Sequence, residues 1–333
     1  MLIVGIDEAG YGPRIGPLTV GLSVFRAPTA DTSDNDPPLP DLWLRLRRVV
    51  GRAGASSTAR TIVTVDDSKR LKGAASSRSP MGRIEQSVLA FLALLGQTPT
   101  NDAAVLGALG TDVELAPWYM GEPLPAPVST TPEHIGVMAA GVRSGLARAG
   151  VELVLLGCRL VGEAAFNERV AETGSKAVVN FTTAGQHLRE VWRRFGAEGP
   201  TVVVDRQGGR RCYGSGLARA IPGSTVRALD ERHERSVYLI EEKRDAVPTG
   251  ARRRRMRVIF EIEADSRHLS TALASMTAKY VRELAMARLN RYWCGRSPGL
   301  APTAGYGLDA KRWLREVEPL LSVRDRDHLI RRA

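Results

Sequence analysis

The chain has little cysteine, few aromatic residues and no long apolar run. Its three cysteines, Cys158, Cys212 and Cys294, are odd in number and far apart. They form no CxxC pair, so neither a zinc ribbon nor a disulfide framework is indicated, and a reducing compartment fits. The five histidines, His134, His187, His233, His268 and His328, show no HExxH or other metal spacing and read as surface or structural residues. No apolar run reaches the roughly 20 residues of a membrane span. The first residues, Met1-Leu2-Ile3-Val4, have no basic n-region and reach acids by position 7, so a signal peptide is not expected and the protein is read as cytoplasmic, with no membrane partner. Gln207-Gly208-Gly209 is not followed by Gly-Lys-Ser/Thr, which excludes a Walker loop, and the Gly10/Gly12 turn lacks the full dinucleotide fingerprint. Acids are the scarcer charge: 36 Asp and Glu stand against 47 Lys and Arg, for a net charge of +11. That excess favours a polyanionic partner, nucleic acid first and an anionic membrane surface second. A coding bias towards Arg gives the same balance without a binding role.

What is present is a soluble globular composition, 43% hydrophobic and 25% charged, in 333 residues. That length allows one large domain or two small ones. Leu2-Ile3-Val4 opens a strand, and residues 18 to 25 alternate well enough for a second. Residues 27 to 41 carry four prolines and four aspartates and read as a surface loop. Leu42 to Val50 fits a short helix, and Thr61 to Val65 is β-branched. Residues 82 to 96 place Ile84, Val88, Phe91, Leu92 and Leu95 on one helical face. Residues 97 to 132, rich in Pro, Gly and Thr, read as an excursion from the core. Helices are expected over 135–149, 176–195 and about 270–290. Strands are expected at 151–156, 201–204, 237–240 and 256–263. Strands mixed with helices throughout argue for an α/β domain with loop insertions.

Four segments carry chemistry. The first is Asp7-Glu8-Ala9-Gly10-Tyr11-Gly12-Pro13, with Gly16-Pro17 after it, at the end of an apolar strand. Adjacent carboxylates on a rigid strand end suit a hard cation, and glycines let another backbone come close. A strand-end turn with solvated acids reads the same residues. The second is Asp67-Ser68-Lys69, and the third is Asp205 at the end of Thr201-Val202-Val203-Val204. The fourth is Ala264-Asp265 followed by Leu269-Ser270-Thr271-Ala272-Leu273-Ala274-Ser275-Met276-Thr277-Ala278-Lys279-Tyr280-Val281-Arg282-Glu283. Each is a weak signal alone.

In this order they resemble ribonuclease HII, the type 2 ribonuclease H family, with its Asp-Glu-Ala-Gly-Arg-Gly-Pro opening, its Asp-Ser-Lys, its lone strand-end Asp and its Ser/Ala-rich helix. Gly305-Tyr306-Gly307 is similar to the family's C-terminal Gly-Tyr element. The resemblance implies a ribonuclease H-like mixed sheet flanked by helices, in one domain over 1–333. Insertions would lie at about 27–60 and 97–132, with a helical C-terminal part at 291–333. It implies an endoribonuclease that cuts RNA in RNA–DNA hybrids, or at ribonucleotides embedded in duplex DNA, leaving 5′-phosphate and 3′-hydroxyl ends by a two-metal mechanism. Asp7, Glu8, Asp205 and Glu283 would be the catalytic acids and would hold Mg²⁺ or Mn²⁺, hard ions suited to carboxylates. Gly10, Tyr11, Gly12, Ser68, Lys69, Lys279 and Tyr306 would contact substrate. The expected partner is hybrid or ribonucleotide-containing duplex, bound by a monomer.

Two residues depart from the family. Tyr11 stands where the family has Arg, and Glu283 where its helix has Asp. A nucleic-acid-binding protein of the same fold with weak or lost catalysis is therefore a second reading, and a metal nuclease acting on branched DNA a third. Arg252 to Arg255, with Arg257, form the densest charge run, which fits a solvated hairpin tip or a grip on nucleic acid.

Overall fold

The computed structural model describes residues 1–29, 38–53, 62–66, 71, 81–112, 116–243 and 252–332. Seven strands form one mixed sheet in the order β5-β2-β1-β6-β9-β8-β7. They are β1 (Leu2–Ala9), β2 (Leu18–Arg26), β5 (Glu152–Val161), β6 (Thr201–Asp205), β7 (Ser224–Glu231), β8 (Arg235–Glu242) and β9 (Arg255–Glu261). A separate parallel pair, β3 (Val50–Gly51) and β4 (Val63–Thr64), lies outside it. The β1, β6 and β9 strands are parallel neighbours at the centre, and the other pairs are antiparallel. Central strands covered on both faces must be apolar on both faces, as Val202, Val203 and Val204 are.

Helices cover both faces, so the architecture is the α/β mixed sheet that the resemblance implied. One core lies under Gly82–Leu94, Pro132–Ala149 and the long helix Leu269–Cys294, around Phe25, Val88, Phe91, Val142 and Leu273. The other face packs Phe181, Leu188, Val191 and Trp192 of helix Lys176–Phe195 against Val4, Val202 and Phe260. The long helix is buried almost all round, so its sequence shows no single apolar face. It lies close on the sheet because Gly5 and Gly21 lack side chains: a Cβ at Gly5 would fall 2.2 Å from the Ser270 carbonyl carbon. Ser23 Oγ donates to the Ser270 carbonyl at 2.7 Å and Thr19 Oγ1 to that of Ala278 at 2.9 Å.

Local signals explain some element ends. Thr131 accepts from His134 N and Pro132 takes the first helical position, so that helix starts before the expected residue 135. Gly150, left-handed, stops it. The two segments expected as insertions are packed where described. Within 27–60, helix Leu42–Leu46 and Val49 and Val50 pack into the main core. Within 97–132, Trp118 and Tyr119 are buried with Trp293 and Trp313, and Asp102 pairs with Arg288 of the long helix. Both segments are parts of the packed structure where described. Elements that were not expected include the mostly exposed strand β7 and helices Asp102–Ala108, Glu163–Thr173 and Gly214–Ala220. No described helix is long and apolar enough to cross a membrane.

Candidate active site

Ile6 on β1 is level with Val204 on β6. The next residues of these parallel strands, Asp7 and Asp205, therefore end side by side, on strands about 4.8 Å apart. Glu8 follows Asp7 on the opposite face. Asp7, Glu8 and Asp205 line one cavity of about 720 Å³. Its other walls are the loop after β6, with Arg206, Gly208, Gly209 and Arg211, and the segment joining β9 to the long helix.

That segment supplies a fourth acid, Asp265. The chain leaves β9, and Glu263 takes a left-handed conformation, φ 54°, which is uncommon for a residue with a Cβ. The turn starts the short helix Ala264–Arg267 and brings Asp265 to the cavity. Asp205 Oδ1 accepts from Ala264 N at 2.9 Å, which ties the turn to β6.

Glu283 was expected to be this fourth acid and is not among the cavity's residues. Ser275 is the long-helix residue that reaches it. Glu283 lies just over two turns further on, about 12 Å along the axis. There its carboxylate pairs with Lys279 Nζ at 2.8 Å. The last acid comes from the start of the helical segment, one residue after Ala264.

Asp7 is almost fully buried and its carboxyl is pushed well above the usual carboxylate range. Burial is the largest cause; the negative charges of Glu8, Asp205 and Asp265 add to it, and a hydrogen bond from Ser275 opposes it. Asp7 Oδ1 also accepts from Glu8 N at 2.7 Å. These oxygen donors are the chemistry a hard divalent ion takes. Among the described residues, no three such side chains already converge as a closed metal cage. The set fits such an ion by donor type and shared cavity.

The Gly10-Tyr11-Gly12 turn adjoins the acids and is held from behind. A Cβ at Gly10, φ 82°, would fall 2.4 Å from the Pro17 carbonyl and 2.7 Å from Arg282 Nε, so this glycine is needed for the turn's own packing. A Cβ at Gly12 would meet nothing within 4 Å, which leaves open space for an approaching ligand. Arg331 donates to the carbonyls of Gly10 and Tyr11. Arg282 donates to those of Ile15 and Ala304, at 3.2 and 3.1 Å. Buried Glu163 accepts from Gly16 N at 3.0 Å and from the Tyr119 hydroxyl. Nothing in the local sequence announces Arg331 or Glu163, because their partners lie far away in the chain. The Tyr11 ring packs beside Leu18, Val161, Phe166 and Val179, with Lys176 Nζ 5.4 Å from its centre.

Tyr306 is partly exposed beside this turn, with the Arg282 guanidinium 4.7 Å and Lys279 Nζ 5.9 Å from its ring. Lys279, Glu283 and Tyr306 thus stand together, apart from the acid cavity. Ser68 and Lys69 lie outside the described residues. In the basic run, Arg253 and Arg254 face Glu241 and Glu242 at 3.5 and 3.8 Å. Two further cavities of comparable volume lie along helix Lys176–Phe195. Only the one at the strand ends gathers carboxylates into a set.

No family model matches the chain. No curated protein matches it either. Among solved structures it is similar to the PCNA:RNase HII complex from Archaeoglobus fulgidus, at 15% identity over 99% of this chain and 94% of that one, TM-score 0.42. It is similar to ribonuclease H2 from Pyrococcus horikoshii OT3, at 16% identity over 96% and 88%, TM-score 0.41. It is also similar to Bst-RNase HIII in complex with Mn²⁺, at 14% identity over 99% and 66%, TM-score 0.39.

Proposed function

We propose that the chain is an endoribonuclease that hydrolyses RNA within RNA–DNA hybrids or at ribonucleotides embedded in duplex DNA. The observation that carries this is the meeting of Asp7, Glu8, Asp205 and Asp265 at one cavity beside the Gly10-Tyr11-Gly12 turn. Asp7, Asp205 and Asp265, with Glu8, would hold Mg²⁺ or Mn²⁺. When bound, such an ion stabilises negative charge on a phosphodiester in hydrolysis. The expected products carry 5′-phosphate and 3′-hydroxyl ends.

The chain's own residues do the rest. The backbone around Gly12 offers an unobstructed approach, while Arg331 occupies the carbonyls of Gly10 and Tyr11. Recognition of a 2′-hydroxyl at this turn then falls mainly to its N–H groups, and that hydroxyl is what separates RNA from DNA. Tyr306, partly exposed beside the turn, is placed to stack on a sugar, with Lys279 next to it for phosphate. Arg206 and Arg211 line the same cavity and would supply positive charge for phosphate.

The test is hydrolysis, with Mg²⁺ or Mn²⁺, of a hybrid, a single-ribonucleotide duplex, an all-DNA duplex and a four-way junction. Cutting confined to the ribonucleotide-containing substrates supports the reading. A second reading, a nucleic-acid-binding protein with weak or lost catalysis, is favoured by Tyr11 in place of Arg and by the acids not standing as a closed cage. It predicts binding of the same duplexes without turnover.

A further inference from the structure

Two cavities run along helix Lys176–Phe195, separate from the acids. The one between this helix and helix Gly214–Ala220 has a volume of about 700 Å³. Its charged lining is Arg189, Arg210 and Arg219, with the hydroxyls of Thr182 and Ser215, and no carboxylate lines it. The second, about 780 Å³, shares Gln186 and Arg189 with the first and adds Arg159, Arg193 and Arg194. Its single acid, Glu190, is already engaged by Arg159 at 3.2 Å and Arg194 at 3.3 Å. The two cavities share Gln186 and Arg189 as wall residues, and together six arginines line them with one carboxylate.

A coding bias towards Arg would scatter arginines, and many elsewhere do have acid partners, such as Arg267 with Glu261 and Arg312 with Asp309. Among the described residues, Arg189, Arg210 and Arg219 have no carboxylate within ion-pair distance. Like charges gathered without counter-charges cost free energy unless an anion joins them. Arg210 is held in place over the rings of Phe181 and Tyr213, at 5.2 and 5.8 Å. The loop after β6 joins this groove to the acids. Arg206, Gly208, Gly209 and Arg211 face the acid cavity, whereas Arg210, Cys212 and Tyr213 face the groove.

We propose that this groove is a second phosphate-binding track, which takes the backbone of duplex nucleic acid beyond the part held at the acids. The proposal rests on the reading of the acid cavity as a site for nucleic acid. Several arginines and hydroxyls lining neighbouring cavities suit successive phosphodiesters, and they predict a salt-dependent contribution without sequence preference.

The test is binding of fluorescently labelled duplexes, without divalent metal, to the wild type and to Arg219→Glu, Arg189→Gln and the double variant across a salt series. Arg219 is exposed and Arg189 donates to the Ala220 carbonyl at 2.9 Å, so Arg219→Glu is the variant least able to disturb folding. For a long duplex, the double variant should bind about tenfold more weakly at low salt, with a log–log salt slope shallower by about 1–2. A duplex too short to pass the loop should bind all forms alike, and turnover at saturating substrate should not change. Equal affinity and slope for the long duplex would overturn the track while leaving the catalytic reading intact. Loss of inorganic phosphate binding in the variants with duplex affinity unchanged would overturn it too, in favour of a small-anion pocket. Groove-dependent binding by a wild type that cuts no ribonucleotide substrate would keep the track and remove the catalytic reading.

Discussion

Arg331 donates through one guanidinium to the carbonyls of Gly10 and Tyr11, and its backbone N–H donates to Arg14 at 2.8 Å. The segment after helix Val323–Leu329 is thereby fastened to the turn beside the acids. The guanidinium is buried against the Phe166 ring at 3.7 Å; burial brings its pKa down to about 10, with Glu163 opposing, so it stays charged near neutrality. Arg331→Met should lower stability by about 2–3 kcal/mol, since hydrogen bonds from a charged donor are lost and buried acceptors are left. Arg331→Lys keeps the charge but not the fork and should fall between. Urea denaturation of the three proteins checks this, and coincident curves would show that the fork does not hold the turn.

The placement of acids gives a sharper contrast. Asp265→Asn should remove nearly all hydrolysis, whereas Glu283→Gln should keep most of it, because Glu283 pairs with Lys279 away from the cavity. Turnover across a range of Mg²⁺ and Mn²⁺ concentrations measures both. Loss in Glu283→Gln with activity kept in Asp265→Asn would restore the family-derived assignment.

The sequence made Asp7, Glu8 and Asp205 readable because each ends an apolar, β-branched run, and such a run reports both a buried strand and where it stops. Asp265 was harder. It follows a turn that depends on Glu263 in a left-handed conformation, and a glutamate there does not advertise a turn. The helix after it carries Glu283 at the position where the resemblance placed the last acid. Arg331, Arg282 and Glu163 were out of reach for another reason: they act on carbonyls and N–H groups distant in the chain, and backbone partners leave no mark in a sequence. Strand β7 was missed because it is mostly exposed and has too few apolar residues to mark an alternation.

Buried His187 sets a pH dependence. Its Nε2 lies 2.9 Å from the Val20 carbonyl, to which it must donate, and burial depresses its pKa to about 4, with Val20 and Glu190 opposing and Arg159 assisting. The unfolded chain titrates this histidine near about 6.5. Above that pH the neutral ring costs nothing. As pH falls from about 6.5 towards 4, the unfolded state takes up a proton that the native state refuses, and stability drops by about 1.4 kcal/mol per unit at most. His187→Gln removes this titration, so its stability should fall less over the same window. Parallel stability–pH curves for the two proteins would contradict it.

Asp102 and Arg288 form a buried pair, with Nη2 2.8 Å from Oδ1, and Arg288 also donates to the Tyr119 carbonyl. The pair joins helix Asp102–Ala108 to the long helix. Asp102→Ala leaves a buried guanidinium unpaired and should cost about 3–5 kcal/mol. A denaturation midpoint equal to the wild type's would mean that the 97–132 segment is not anchored there.

The most direct test of the central claim compares a duplex carrying one ribonucleotide with the all-DNA duplex of the same sequence, using the wild type, Asp7→Asn and Asp205→Asn with Mg²⁺ or Mn²⁺. The account predicts that the wild type cuts only the ribonucleotide duplex and that both variants remain folded but cut neither. Equal cutting of the two duplexes by the wild type, or wild-type turnover in either variant, would contradict it.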